Sequence, residues 1–219
     1  MASPAPKPKF MSQVKEKLLK PALTSHFQCW FTPTGRTIEW IKDRGFNYNS
    51  SDNSEFISLS CADASLPGSS FVTNEITSDY HGITEKHVYR RQFDDRADFT
   101  FYVDHNGADG GNSHDIIWFF ENWISFIADE SQDAVGDRPS SRDFRYFYRT
   151  KLPIDYQTSI YINKFERDYS GTYLEYKFIQ AFPIAINSMP VSYESSQLLK
   201  CNVSFSYTRY LVNRKKFNS

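Results

Sequence analysis

Cysteine is scarce in this chain. The 219 residues hold three, Cys29, Cys61 and Cys201, too far apart for a CxxC metal-binding knuckle. Each falls in phase with apolar neighbours, which reads as small buried hydrophobes in a reducing compartment. Long hydrophobic runs are missing too. Nothing approaches the ~20 apolar residues of a membrane helix, so membrane insertion is not expected. The opening MASPAPKPKF lacks the apolar centre of a secretory signal. The Asn-x-Ser triplets at Asn49 and Asn202 are therefore read as chance. An excess of either charge is also absent. Lys plus Arg total 25 and Asp plus Glu 26, for a formal net charge of -1. A dedicated nucleic-acid binder shows a basic surplus, so any contact with nucleic acid must come from local patterning.

Catalytic and cofactor signatures are equally thin. Gly110–Gly111 precede a helix but lack the Lys-Ser/Thr of a phosphate-binding loop. No GxSxG elbow occurs. Asp104 and Asn106 fit the first two positions of a calcium loop, but Ala108 fails the third and Asp109 stands where glycine is needed. His105 and His114 are nine residues apart, which is no zinc spacing. Glu85, His87, Arg90 and Arg91 alternate in charge along a hairpin. They read as a salt-bridged, solvated or inter-subunit surface in preference to an acid–base pair. Arg209, Arg214, Lys215 and Lys216 read as a short solvated basic tail. The expectation is a non-enzyme with no catalytic residue, no cofactor and no metal site.

What the sequence does hold is aromatic and strand-forming. It is 40% hydrophobic and 17% aromatic, with 14 tyrosines and 19 phenylalanines, a composition that favours strands. From 199 to 211, Leu199, Cys201, Val203, Phe205, Tyr207 and Leu211 share one face. Lys200, Asn202, Ser204, Ser206 and Thr208 share the other. Period-two alternation of that length predicts one long strand with a wet face, beyond the usual ~5–6 residues.

Other strands are expected at Phe27–Phe31, at Ile57–Cys61 closed by LPGSS, at Ala97–Val103, and around 154–166 and 173–182 with a turn at Ser170–Gly171. A weakly apolar hairpin over 71–93 turns near His81 and Gly82. Such a hairpin has little core of its own and should pack against another chain or stay mobile. Thr34 or Thr37 caps a short helix carrying Ile38 and Ile41, which Gly45 stops. A second helix, capped by Ser113, runs from Asp115 to Ala128 with a wide apolar arc. Residues 11–19 could form a short helix stopped by Pro21. Residues 47–54 and 129–145 read as loops. The fold class expected is mainly β: a β-sandwich or partial barrel with one flanking α-helix.

Four segments in order resemble the tail tube protein family of contractile-tailed bacteriophages. They are LPGSSF at 66–71, HGITEKHVYRRQFDDRADFTFYVD at 81–104, WFFENWISFI at 118–127, and FPIAINSMPVSYESSQLLKCNVSFSYTRY at 182–210. The resemblance covers about 55–128 and 150–212. It implies hexameric rings that stack into a hollow tube, long strands closing a shared hexameric β-barrel, and a fold shared with type VI secretion inner-tube proteins. Tail sheath, baseplate and tail-terminator proteins would be partners, and genomic DNA would pass through the bore. The implied location is the virion tail, assembled in the host cytoplasm.

By that reading Lys200, Asn202, Ser204, Ser206 and Thr208 are candidate lumen residues. His81, Glu85, His87, Arg90 and Arg91 form a candidate inter-subunit hairpin. A neutral-to-negative lumen is expected, because rings of lysine or arginine would hold phosphates. The domain is expected over 26–212, after an N-terminal arm and helix (1–25) and before a basic tail (213–219). The arm, the helix at 34–45 and an insert at 129–149 depart from the simplest family members. They leave a baseplate tube initiator or tail-end adaptor ring as the alternative. A soluble β-barrel binding module, and a hydrolase using the 104–115 loop, are the readings from other classes.

Overall fold

The computed structural model describes residues 10, 11, 15, 21–49, 51–77, 82, 84–105, 113–128, 150–167, 171–194 and 197–217. Their elements, in order, are β1 (Phe27–Thr32), α1 (Gly35–Asp43), α2 (Ser51–Leu59), β2 (Cys61–Ala64), β3 (Ser69–Ile76), β4 (Glu85–Phe93) and β5 (Arg96–Tyr102). Then come α3 (Asp115–Ile127), α4 (Pro153–Tyr156), β6 (Thr158–Lys164), β7 (Thr172–Ile186), β8 (Lys200–Ser206) and β9 (Arg209–Lys216). The mainly β class expected from composition is what the chain adopts. The helix at 11–19 and the insert at 129–149 fall largely or wholly outside the described residues.

Seven strands make one antiparallel sheet in the order β1-β6-β7-β8-β5-β2, with β9 also paired to β7. The sheet rolls back on itself. Phe31 on β1 lies only 5.4 Å from Phe99 on β5, ring centre to ring centre, although three strands separate them in the sheet. Among the described residues the roll does not close by hydrogen bonds: β1 and β2 form no ladder. Helix α2 lies in the gap, with the Ser58 hydroxyl donating to the Cys29 carbonyl and Ile57 fully buried. Inside the roll, Cys29, Phe31, Phe99, Phe101, Ile160, Ile162, Phe178, Cys201, Val203 and Phe205 meet Phe119, Phe120 and Trp123 of α3. Cys29 and Cys201 are buried as expected, whereas Cys61 is half-buried.

Several expected elements are corrected. The segment 51–59 is helix, not loop and strand. Asn53, Ile57 and Ser58 face inward at helical spacing while Leu59 is exposed; three alternating apolar residues could not separate the two periods. Ser113 does not cap α3, because the cap position is His114, in the left-handed region at φ 65° without a side-chain cap bond. The stretch at 154–156 is helical turn, and β6 starts at Thr158.

The long final strand is two strands. It breaks at Tyr207–Thr208, opposite Gln180 of β7, whose φ is 57°. The break shifts the parity by one. Cys201, Val203, Phe205 and Tyr207 point inward on odd numbers, then Tyr210 does so on an even one, leaving Leu211 exposed. Strand β9 continues through Lys216 beside β7, so Arg214–Lys216 are paired with Thr172–Leu174 as strand, their side chains exposed.

Helix α1 behaves as expected. Thr34 is its N-cap, accepting from the Thr37 amide, and Gly45 follows its end at φ 97°. A Cβ at Gly45 would meet nothing within 4 Å, so only the backbone conformation opposes a side chain there. Gly45→Ala is therefore expected to cost about 1–2 kcal/mol in urea unfolding. An unchanged midpoint would reject the left-handed geometry.

Candidate functional site: a polar sheet face and a free hairpin

The outer face of the β2–β5–β8 part of the sheet is polar, and gives way on β7 to Phe182, Ile184 and Ala185. Strand register places Asp98 opposite Ser204, Thr100 opposite Asn202, Tyr102 opposite Lys200 and Arg96 opposite Ser206. Asp63 of β2 stands opposite Thr100. Four of the five sequence candidates, Lys200, Asn202, Ser204 and Ser206, thus share a surface with residues of β5 that alternation along β8 does not assign. Thr208 sits at the bend, where its hydroxyl lies 2.8 Å from the Gln180 amide oxygen. Lys200 and Thr208 are exposed, while Asn202 and Ser206 are half-buried.

Ser204 differs from its neighbours. It is 0% exposed, although alternation assigns it to the wet side. Its hydroxyl donates to Asp98 Oδ1 at 2.5 Å and accepts from Arg96 Nη2 at 2.6 Å. Arg96 Nε in turn donates to the same carboxylate oxygen at 2.9 Å. This serine donation and the arginine hold the Asp98 carboxyl below its ordinary value of 3.8. The ionised pair therefore adds stability above that pH and loses it as pH falls through the lowered value. The side chains of Arg96 and Asp98 are nearly half exposed, which keeps that contribution small. Among the described residues the formal charges on this face are Arg96 and Lys200 against Asp63 and Asp98, and they cancel.

The second surface is the β3–β4 hairpin, a separate two-stranded sheet. Register is straight from Ser69↔Phe93 to Val72↔Arg90, then slips so that Thr73 pairs with Val88 and Tyr89 is left as a bulge. One face carries Phe71, Thr73, Val88 and a Lys86–Glu75 ion pair at 2.7 Å. The other carries Val72, Arg90, Ile76 and the Glu85–His87 pair at 3.1 Å. Phe71 and Val88 are each 62% exposed and Tyr89 is 70% exposed. Neither outer edge of the hairpin pairs with another strand of the described chain.

Among the described residues only its base is tied down. Arg91 stacks over Phe93 and Tyr210 and donates to Ser69 Oγ at 2.9 Å. Asp94 Oδ2 accepts the Gly68 amide at 2.7 Å. Of the hairpin candidates, then, Arg91 is an anchor within the chain, whereas Glu85, His87 and Arg90 project outward. His81 lies outside the described residues. So do Asn106 and Asp109 of the acidic loop, and among the described residues no cluster of three or more metal-ligating side chains occurs.

The sequence from residue 22 to 213 matches the family model described as phage tail tube protein. The chain belongs to that family. No curated protein matches it. Among solved structures, this tail tube family member is similar to a chain of the anti-feeding prophage baseplate, 6-fold symmetrised, at 10% identity and a TM-score of 0.53. That match covers 89% of this chain and 96% of the other. It is also similar, at 11% identity and a TM-score of 0.45, to a chain of an extracellular contractile injection system sheath-tube complex in the extended state, with 94% and 99% covered. The anti-feeding prophage tube-terminating cap gives 12% identity, a TM-score of 0.46 and coverage of 98% and 100%. The tail tube family is structural, and the chain shares its fold with that chain of the anti-feeding prophage baseplate.

Proposed function

We propose that this protein is a tube subunit that assembles as hexameric rings stacked into a DNA-conducting channel inside a contractile sheath. The observation that carries the reading is the β3–β4 hairpin. Two strands alone are marginal in water, and exposed edges with Phe71, Val88 and Tyr89 beside them invite aggregation unless another chain covers them. Identical neighbours would supply that cover. The long β7 and the β8–β9 run beside it would then contribute to a barrel shared between copies. In that arrangement the polar face bearing Lys200, Asn202, Ser204 and Ser206, with Thr208 at its end, lines the bore. Sheath, baseplate and terminator proteins would contact the remaining surfaces in the virion tail.

Negative-stain microscopy of the purified chain tests this. Rings and tubes support the tube subunit. Single rings that never lengthen identify instead an initiator or adaptor, which needs only one stacking surface. A monodisperse monomer at all concentrations overturns both.

A further inference from the structure

The charges on the polar sheet face are not merely balanced in number. Arg96, one of its two cations, is held by a carboxylate and a hydroxyl on adjacent strands. Guanidinium groups are strong phosphate ligands because their planar donors match two oxygens at once. Here Nε is directed to Asp98 Oδ1 and Nη2 to Ser204 Oγ, so two of its donors are already committed. Lys200, the other cation, lies 5.3 Å from the centre of the Tyr102 ring. Asp63 is exposed and makes no comparable link to a cation of this face among the described residues.

We propose that Asp98 is the residue that keeps this face from gripping a polyanion, by caging Arg96 against Ser204. The proposal rests on reading the face as the lining of a channel through which a nucleic acid slides. Without such a passenger a caged arginine has no purpose beyond a surface ion pair. In a ring, every copy would present the same arginine at the same height. An uncaged set would become a belt of phosphate ligands, each releasing counterions when occupied. Strand β8 alone contributes one cation, Lys200, and no carboxylate to this face. The groups that set the balance are on β5 and β2, and one of them acts on a specific neighbour.

The test is salt-dependent binding of a short labelled DNA duplex to the assembled protein, followed by fluorescence anisotropy. Four proteins are compared: the unmodified chain, Asp98→Asn, the double variant Asp98→Asn with Arg96→Gln, and Asp63→Asn. Asp98→Asn should bind several-fold tighter at low salt. Its dependence of log affinity on log salt should steepen by about 0.9 for each additional phosphate neutralised. The double variant should return to the unmodified level. Asp63→Asn removes the same formal charge without freeing Arg96, so its affinity should rise less.

Should Asp98→Asn fail to fold, Asp98→Thr, a residue suited to a strand, reads the same quantity. Equal binding by Asp98→Asn and the unmodified chain overturns the proposal, as does an equal rise from Asp63→Asn. Microscopy of the same samples keeps the two questions apart. Assembled tubes with unchanged binding reject the caging alone, whereas absence of any ring rejects the tube reading itself.

Discussion

Phe205→Lys is expected to abolish folding of the chain. Phe205 is fully buried, with ring centres of Phe99, Phe31, Trp123 and Phe120 at 5.4, 5.6, 5.8 and 6.1 Å. These rings belong to β5, β1 and α3, so one side chain on β8 touches its neighbouring strand, the far edge strand of the rolled sheet and the helix that covers it. Truncation to alanine at such a site costs about 3–5 kcal/mol, out of a total stability of order 5–15 kcal/mol. Lysine adds an ammonium with no carboxylate in the cluster to receive it, a further penalty of several kcal/mol. Circular dichroism of Phe205→Lys should show no cooperative transition, and Phe205→Ala should unfold at much lower urea with a similar slope. A cooperative, near-normal transition in the lysine variant would reject the packing. The same replacement at Ser204 acts on the other face. There a lysine displaces Arg96 but meets Asp98, one cation replacing another, so that chain should fold with a modest loss.

The contrast between Phe205 and Ser204 also shows what was legible in the sequence. Inward and outward parity along β8 followed from alternation, because a single strand with one buried face has only two registers. That Ser204 is buried on its own side did not follow, since Arg96 and Asp98 reach it from β5 across a hundred residues of chain. Parity beyond Tyr207 failed for a related reason. A break opposite the left-handed Gln180 leaves only a slight mark, Arg209 on the odd side and Tyr210 on the even one, which Leu211 masks by restoring an apolar residue to the odd set. Helix α1 was readable because Thr34 and Gly45 bracket it with local chemistry that any helix needs. Helix α2 was not, because Ile57 and Asn53 fill the gap between β1 and β2, and nothing in either strand's pattern announces that gap. Of the hairpin, existence and exposure were legible from its sparse apolar content. The anchoring role of Arg91 was not, because Tyr210 is supplied by β9.

The pair Phe71→Asp and Val88→Asp should leave the subunit folded and remove its assembly. Both side chains lie on the same hairpin face, and both are well over half exposed. Surface replacements away from packed or paired groups shift stability by roughly 0.5 kcal/mol or less. Neither replacement removes a residue of the clasp at the hairpin base, Arg91 with Tyr210 and Asp94 with Gly68, although Phe71 stands opposite Arg91. The thermal midpoint should therefore stay near that of the unmodified chain. Assembly is a different quantity. In the proposed ring the same joint would recur once per copy, so a carboxylate pair forced against an apolar partner surface would be penalised at every one of them. Rings and tubes should vanish from negative-stain fields, and sedimentation should show only the small species. The opposite face supplies the control, with Val72→Asp and Ile76→Asp changed together. If those assemble while the first pair does not, the covered face is the one bearing Phe71. If both pairs assemble into normal tubes with unchanged thermal midpoints, the hairpin faces solvent in the tube, and the extended edges of β3 and β4 are not where sister copies meet.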